Sequence, residues 1–306
     1  MSTTIRFPIA ILAALVWGCG SAGSGNAQIF VEPEDSIPDG LEAGSGEEQI
    51  QDGWSVQYDT FLVTIGNVHA ARSSDPTDEA RNGALYVVDL KNVPAGGLIV
   101  ADFQNLEATR WDKVGFDLAN TPFASQKGEG ISDGDYARMT QGGYSVFIQG
   151  RMTKAGGNSC RPNAPNDCVA RSEVTFSWGL KAGTSFDDCA SADGEAGFSV
   201  PSGGTVQVKP TIHGDHWFFS NITQGAELTR RLAQWIADAD LDRNGDTTLD
   251  ELRQIPAAQL FTQARGYSIS GSLIPIETAY DFLEAQARTL GDYQGDGECP
   301  TRSILN

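Results

Sequence analysis

Residues 240–251, DLDRNGDTTLDE, set oxygen-bearing side chains at alternating positions around a single glycine. That spacing demands a tight loop wrapped around one point. A hard cation such as Ca²⁺ takes about six to eight oxygens, and this register supplies them. Asp240, Asp242 and Asn244 fill positions 1, 3 and 5. Gly245 stands at position 6, where the chain turns sharply and a Cβ would be opposed. Asp246 at position 7 offers its backbone carbonyl, and Thr248 at position 9 acts directly or through water. Glu251 at position 12 closes the shell with both carboxylate oxygens. No other register works: starting from Asp238 puts Arg243 at the glycine position and Leu249 at the bidentate one.

The segment resembles the EF-hand family residue by residue across the whole loop. The resemblance implies a helix on either side. Leu228, Leu232, Trp235 and Ile236 recur at helical spacing before the loop, and Leu249 and Leu252 open a second helix that Pro256 ends. The chain departs from the family at position 8, where Thr247 replaces the usual aliphatic residue. That position normally bridges to a partner loop, so this hand has no evident mate. GDYQGDG (291–297) sets Asp292, Gln294, Asp296 and Gly297 at positions 1, 3, 5 and 6 of a would-be second loop, but position 12 is Ser303, so it reads as a turn.

The amino terminus indicates export. Residues 9–17, IAILAALVW, form an apolar run of signal-peptide length, too short to span a bilayer. It ends in Val16-Trp17-Gly18-Cys19, which resembles a bacterial lipobox. The resemblance implies cleavage after residue 18, lipidation of Cys19 and anchoring in the cell envelope, with Gly20 favouring the outer membrane. The net charge is −19, and no Lys or Arg occurs between Arg6 and Arg72. Such a balance disfavours nucleic acid and anionic lipid as partners, leaving the lipid as the one membrane contact; no protein partner is named by the sequence. The acid-rich segment 19–52 reads as a lipidated, flexible, self-repelling stalk.

Four further cysteines suit an exported chain with two disulfides. Three pairings are open. The turn-rich RPNAPND between Cys160 and Cys168 favours a local bridge, which leaves Cys189 with Cys299.

From Trp54 to about residue 213 the pattern is mainly β: short aromatic and β-branched runs, several separated by glycine-rich turns. Alternation shows in Trp54/Val56/Tyr58, Val174/Phe176/Trp178 and Val206/Val208. An antiparallel β-sandwich over 53–222 is expected, with one short helix at 132–143 capped by Ser132 or Asp133 and stopped by Gly142. A smaller helical module with the EF-hand loop follows over 223–306, including a helix through PIETAYDFLEAQARTLG that Gly291 ends.

There are three histidines, His69, His213 and His216. The last two lie in TIHGDHWFF, where Gly214 permits a bend that lets both imidazoles converge beside Asp215. Two imidazoles and a carboxylate suit zinc or copper; the competing reading is a strand-end pair that packs on Trp217. His69 joins only if its strand lies alongside. The motifs YVVDL (86–90), VGFDL (114–118), MTQGGYSVFIQG (139–150) and FSWGL (176–180) are similar in order to those of MbnP-type copper-binding periplasmic proteins, which implies a β-sandwich. Signatures of common enzymes are missing: no HExxH, no P-loop, no GxGxxG after a strand. Trp111 and Trp178 are candidate carbohydrate platforms or core residues. The expectation is a non-enzymatic, calcium-binding envelope lipoprotein, with a copper- or zinc-binding protein using His213 and His216 as the alternative.

Overall fold

The computed structural model describes residues 23–94, 97–222 and 230–304. The chain is mainly β. The strands that build it are β1 (Ser24–Pro33), β2 (Ser55–Arg72), β3 (Asp75–Asp89), β4 (Leu98–Glu107), β5 (Lys113–Leu118), β6 (Val146–Thr153), β7 (Glu173–Leu180), β8 (Thr205–Val208), β9 (Pro210–Ile212) and β10 (Gly291–Tyr293).

The larger sheet is centred on β2. Its first half pairs with β6 and its second half with β3 and β5. Beyond β6 lies β7; beyond β5 lie Thr184–Phe186 and Thr301–Ser303. In the other sheet β1 lies between β4 on one side and, in turn, β8 and β9 on the other, and β10 pairs with β9. Expected alternation becomes burial: Trp54, Val56 and Tyr58 on the approach to and start of β2, and Val174, Phe176 and Trp178 on β7, are all buried. One continuous apolar cluster joins the residues of both sheets to those of the C-terminal helices.

Several expectations require correction. Cys19 and the apolar run lie outside the described residues, but 24–52 is no stalk. In β1, Ala27, Ile29 and Val31 alternate inward and are fully buried, and Ile37 and Ile50 anchor the acidic stretch to the core. Charge composition suggested a solvated tether; two-residue periodicity was the stronger signal. Nor is the pairing wholly antiparallel, since β1 runs parallel to β8 and β9. The helices are shorter than their periodicity suggests. Among the described residues, α1 (Gln234–Asp238) precedes the 240–251 loop and α2 (Leu249–Gln254) follows it. The helix of the C-terminal segment, α3 (Ala279–Ala287), ends at Arg288, and Gly291 starts β10 instead of capping it. At 132–143 the short helix forms with Ser132 as its N-cap, and Gly143 is the left-handed stop.

Both disulfides form as expected. Cys160–Cys168 staples one hairpin, and the buried Cys189–Cys299 ties positions 110 residues apart. His69 sits on β2 facing Asp187 at 3.6 Å and stands outside the groups of converging metal-ligand residues. Trp111 and Trp178 are core residues, each 1% exposed, so neither is a carbohydrate platform.

Candidate metal centres

The 240–251 loop folds around its own carboxylates. Asp240, Asp242 and Glu251 bring oxygens within 4.8 Å of one another. Asp240, almost fully buried, accepts from the backbone N–H of Asn244 at 3.0 Å and of Gly245 at 2.9 Å. Gly245 has φ +92°, the left-handed conformation the turn requires. Glu251 Oε1 accepts from the N–H of Leu241 and Asp242, and Oε2 from the N–H and hydroxyl of Thr248. Burial raises the Asp240 carboxyl above its usual range, and the Glu251 charge adds to the rise. A cation between these groups relieves both effects.

One position, Thr248, behaves differently from the simple scheme of the loop. The Thr248 hydroxyl is committed to a capping box with Glu251 at the start of α2. The Asp246 side chain points away to Thr175 Oγ1 at 2.8 Å, which leaves its backbone as its contribution. The Asn244 side chain bridges the loop, accepting from Asp246 N–H at 2.7 Å and donating to Asp242 at 3.0 Å.

The missing partner loop has a substitute. Residues Asp246–Thr247 pair in parallel with Thr175 and Phe176 of β7. Thr247 is fully buried; its hydroxyl donates to the Ile236 carbonyl at 2.8 Å, and its own carbonyl accepts from the Trp178 indole at 2.7 Å. A threonine fits position 8 here because the site is polar as well as buried. Sequence reasoning could not find Arg171, whose guanidinium lies 3.5 Å from Asp240 Oδ2 and donates to the Arg243 carbonyl. It also missed Asp52, which accepts from the N–H of Ala233 and Gln234, both at 2.7 Å, at the open start of α1.

The second cluster lies where the ends of β1 and β9 meet β10. His213 follows β9, Glu34 follows β1, and Asp292 is on β10 beside Thr211. Gly214 is clamped from two sides: Ser36 Oγ accepts its N–H at 3.0 Å, and the Tyr58 hydroxyl donates to its carbonyl. A Cβ at Gly214 would sit 2.6 Å from Ile37 and 2.9 Å from Ser36, so only glycine fits. The bend brings the two imidazole rings to 5.0 Å between centroids, with Asp215 between them. Burial alone would lower the His213 pKa, but Asp292, Asp215 and Glu34 outweigh it and hold the ring at about 9. Burial drives His216 down to about 4 against the pull of Asp215. Glu34 is raised by burial and by the Asp215 charge. Of these residues Asp292 had been noticed only as part of a turn, and Glu34 only as stalk acidity.

Comparison with protein-family models, with curated proteins and with solved structures finds no match.

Proposed function

We propose that this chain is a cell-envelope lipoprotein that binds one calcium ion through an EF-hand loop at 240–251 and performs no chemistry of its own. The convergence of Asp240, Asp242 and Glu251 within 4.8 Å, in the register that the sequence spacing requires, carries this reading. The ion neutralises the buried carboxylates of Asp240 and Glu251 with the exposed one of Asp242, and braces the loop, and with it α1 and α2, against β7. In this reading the two sheets over a shared core are a β-sandwich, and the short helices are a reduced EF-hand module that uses a sheet edge in place of a second hand. Anchoring rests on the Val16–Cys19 motif.

Calorimetric titration of chelator-treated protein with calcium tests the site. One saturable equivalent, unaffected by equimolar magnesium, is expected; the absence of a saturable site overturns the proposal. Cys19→Ser tests the anchor separately. It is expected to move the protein from the membrane to the soluble fraction, and a wild-type protein whose mature chain begins elsewhere than Cys19 refutes the lipoprotein reading.

A further inference from the structure

Asp215 is 1% exposed, and one of its oxygens lacks a donor. Arg231 Nε donates to Oδ2 at 2.6 Å, while Oδ1 is buried with no hydrogen-bond partner among the described residues. Leaving such an atom unpaired is costly. Its neighbours are imidazole nitrogens: His213 Nδ1 at 3.8 Å and His216 Nε2 at 4.0 Å. Glu34 Oε2 is 3.8 Å from the same His213 nitrogen.

The outer edge of the His216 ring fixes its tautomer. The Thr289 hydroxyl gives its hydrogen to the Gln286 carbonyl at 2.9 Å, so toward His216 Nδ1, also at 2.9 Å, it can only accept. The His216 hydrogen therefore sits on Nδ1, and a lone pair on Nε2 faces Asp215. On His213, Asp292 Oδ2 lies 3.1 Å from Nε2 without a hydrogen bond, so its charge alone favours a hydrogen there, while Nδ1 is the nitrogen near the carboxylates of Asp215 and Glu34. An outer acceptor that fixes the tautomer while the inner nitrogen points at other acceptors is the arrangement of metal-binding histidines.

We propose that Asp215 Oδ1, His213 Nδ1 and His216 Nε2 bind a divalent transition-metal ion, zinc or copper, with Glu34 Oε2 as fourth ligand. Arg231 and Thr289 orient Asp215 and His216 from outside, and the Asp292 charge lies beside His213. Metal–ligand bonds of about 2.0–2.2 Å at tetrahedral angles set ligand atoms roughly 3.3 Å apart. The spacings of 3.8 Å and 4.0 Å from Asp215 to the two rings close to that with shifts of roughly half an ångström or slightly more, whereas Glu34, outside the His213–Asp215–His216 group of ligand atoms within 4.8 Å of one another, has to swing in toward His216. The donor set separates this centre from the calcium loop, because calcium takes oxygens and imidazole suits zinc and copper. Glu48, mostly exposed and paired with Arg231 at 2.7 Å, and the partly exposed Glu34 give the centre an acidic mouth. The competing occupant is a proton, with His213 as a buried imidazolium bridging the carboxylates.

The experiment titrates chelator-treated full-length protein with zinc chloride, calcium being present at saturation. One tight equivalent is expected. Thr289→Val, which removes the outer acceptor of His216 together with the hydroxyl's bond to Gln286, should lower zinc affinity by about 10–100-fold. Asp215→Asn should abolish tight binding, and Glu251→Gln should leave it unchanged. Nitrogen NMR of the wild-type imidazoles gives a readout that requires no variant to fold: zinc should shift His213 Nδ1 and His216 Nε2 and leave His69 unmoved. Unshifted rings, or wild-type affinity no tighter than that of folded Asp215→Asn, overturns the proposal.

Discussion

Replacing Glu251 with Gln separates what a cation contributes from what the loop contributes without one. Glu251 is buried, and its two oxygens accept four hydrogen bonds, from Leu241, Asp242 and both donors of Thr248. A glutamine amide turns one oxygen into an NH₂ that faces donors, so at least one part-buried N–H loses its acceptor. That costs about 1–3 kcal/mol whether or not calcium is present. The calcium increment is distinct. With a dissociation constant of roughly 0.1 mM, within the range of extracellular-type sites, about 1 mM calcium adds about 1.4 kcal/mol to the wild type. In a chain of this size that is a rise of a few degrees in melting temperature. The assay is therefore four melts, wild type and Glu251→Gln, each with calcium and with chelator. Glu251→Gln should melt lower in chelator and gain nothing from calcium. Asp250→Asn removes the same charge from a side chain that is 90% exposed and paired only with Arg253; it should keep both the wild-type melting temperature and the full calcium increment. Equal loss of the increment in both variants would mean general charge relief and would refute a coordinated ion.

Arg171→Gln removes a cation 3.5 Å from Asp240 and should tighten calcium binding by roughly threefold at low salt, with the gain shrinking as salt rises; calorimetry showing weaker binding would contradict this. Cys189→Ser with Cys299→Ser opens the 110-residue loop and should cost about 4.8 kcal/mol by chain entropy, against about 2.6 kcal/mol for the 160/168 pair; denaturant melts with the reverse ranking would show that loop length does not govern the difference. In metal-free protein His213 should titrate near pH 9 and His216 near pH 4. The raised His213 pKa gives stability that is complete below about 6.5 and lost as pH climbs through 9, and the lowered His216 pKa gives stability that is present above about 6.5 and lost as pH falls toward 4. Proton NMR showing both rings titrating together near 6.5 would refute the buried, oppositely biased pair.

Much of this protein can be read along the chain because the relevant constraints are local. The ligand spacing of 240–251 is a property of twelve consecutive residues, and its turn needs only Gly245. Inward alternation in β7 follows from the pleat, so Val174, Phe176 and Trp178 reveal their burial by their order. The short RPNAPND loop favours one cysteine pairing, and with four cysteines the second then follows. What stayed hidden depends on which distant segments meet. Net charge masked the alternation of Ala27, Ile29 and Val31, because the acidic residues that follow them favour a solvated tether until β1 has partners on both sides. Sheet pairing alone brings Thr247 to Phe176 and gives the 240–251 loop a partner strand. Glu34, Thr289 and Asp292 are far in sequence from His213 and His216, and only the meeting of β1, β9 and β10 sets them around the two histidines. A carboxylate's role is decided by burial and by what its oxygens face, and both are properties of tertiary structure.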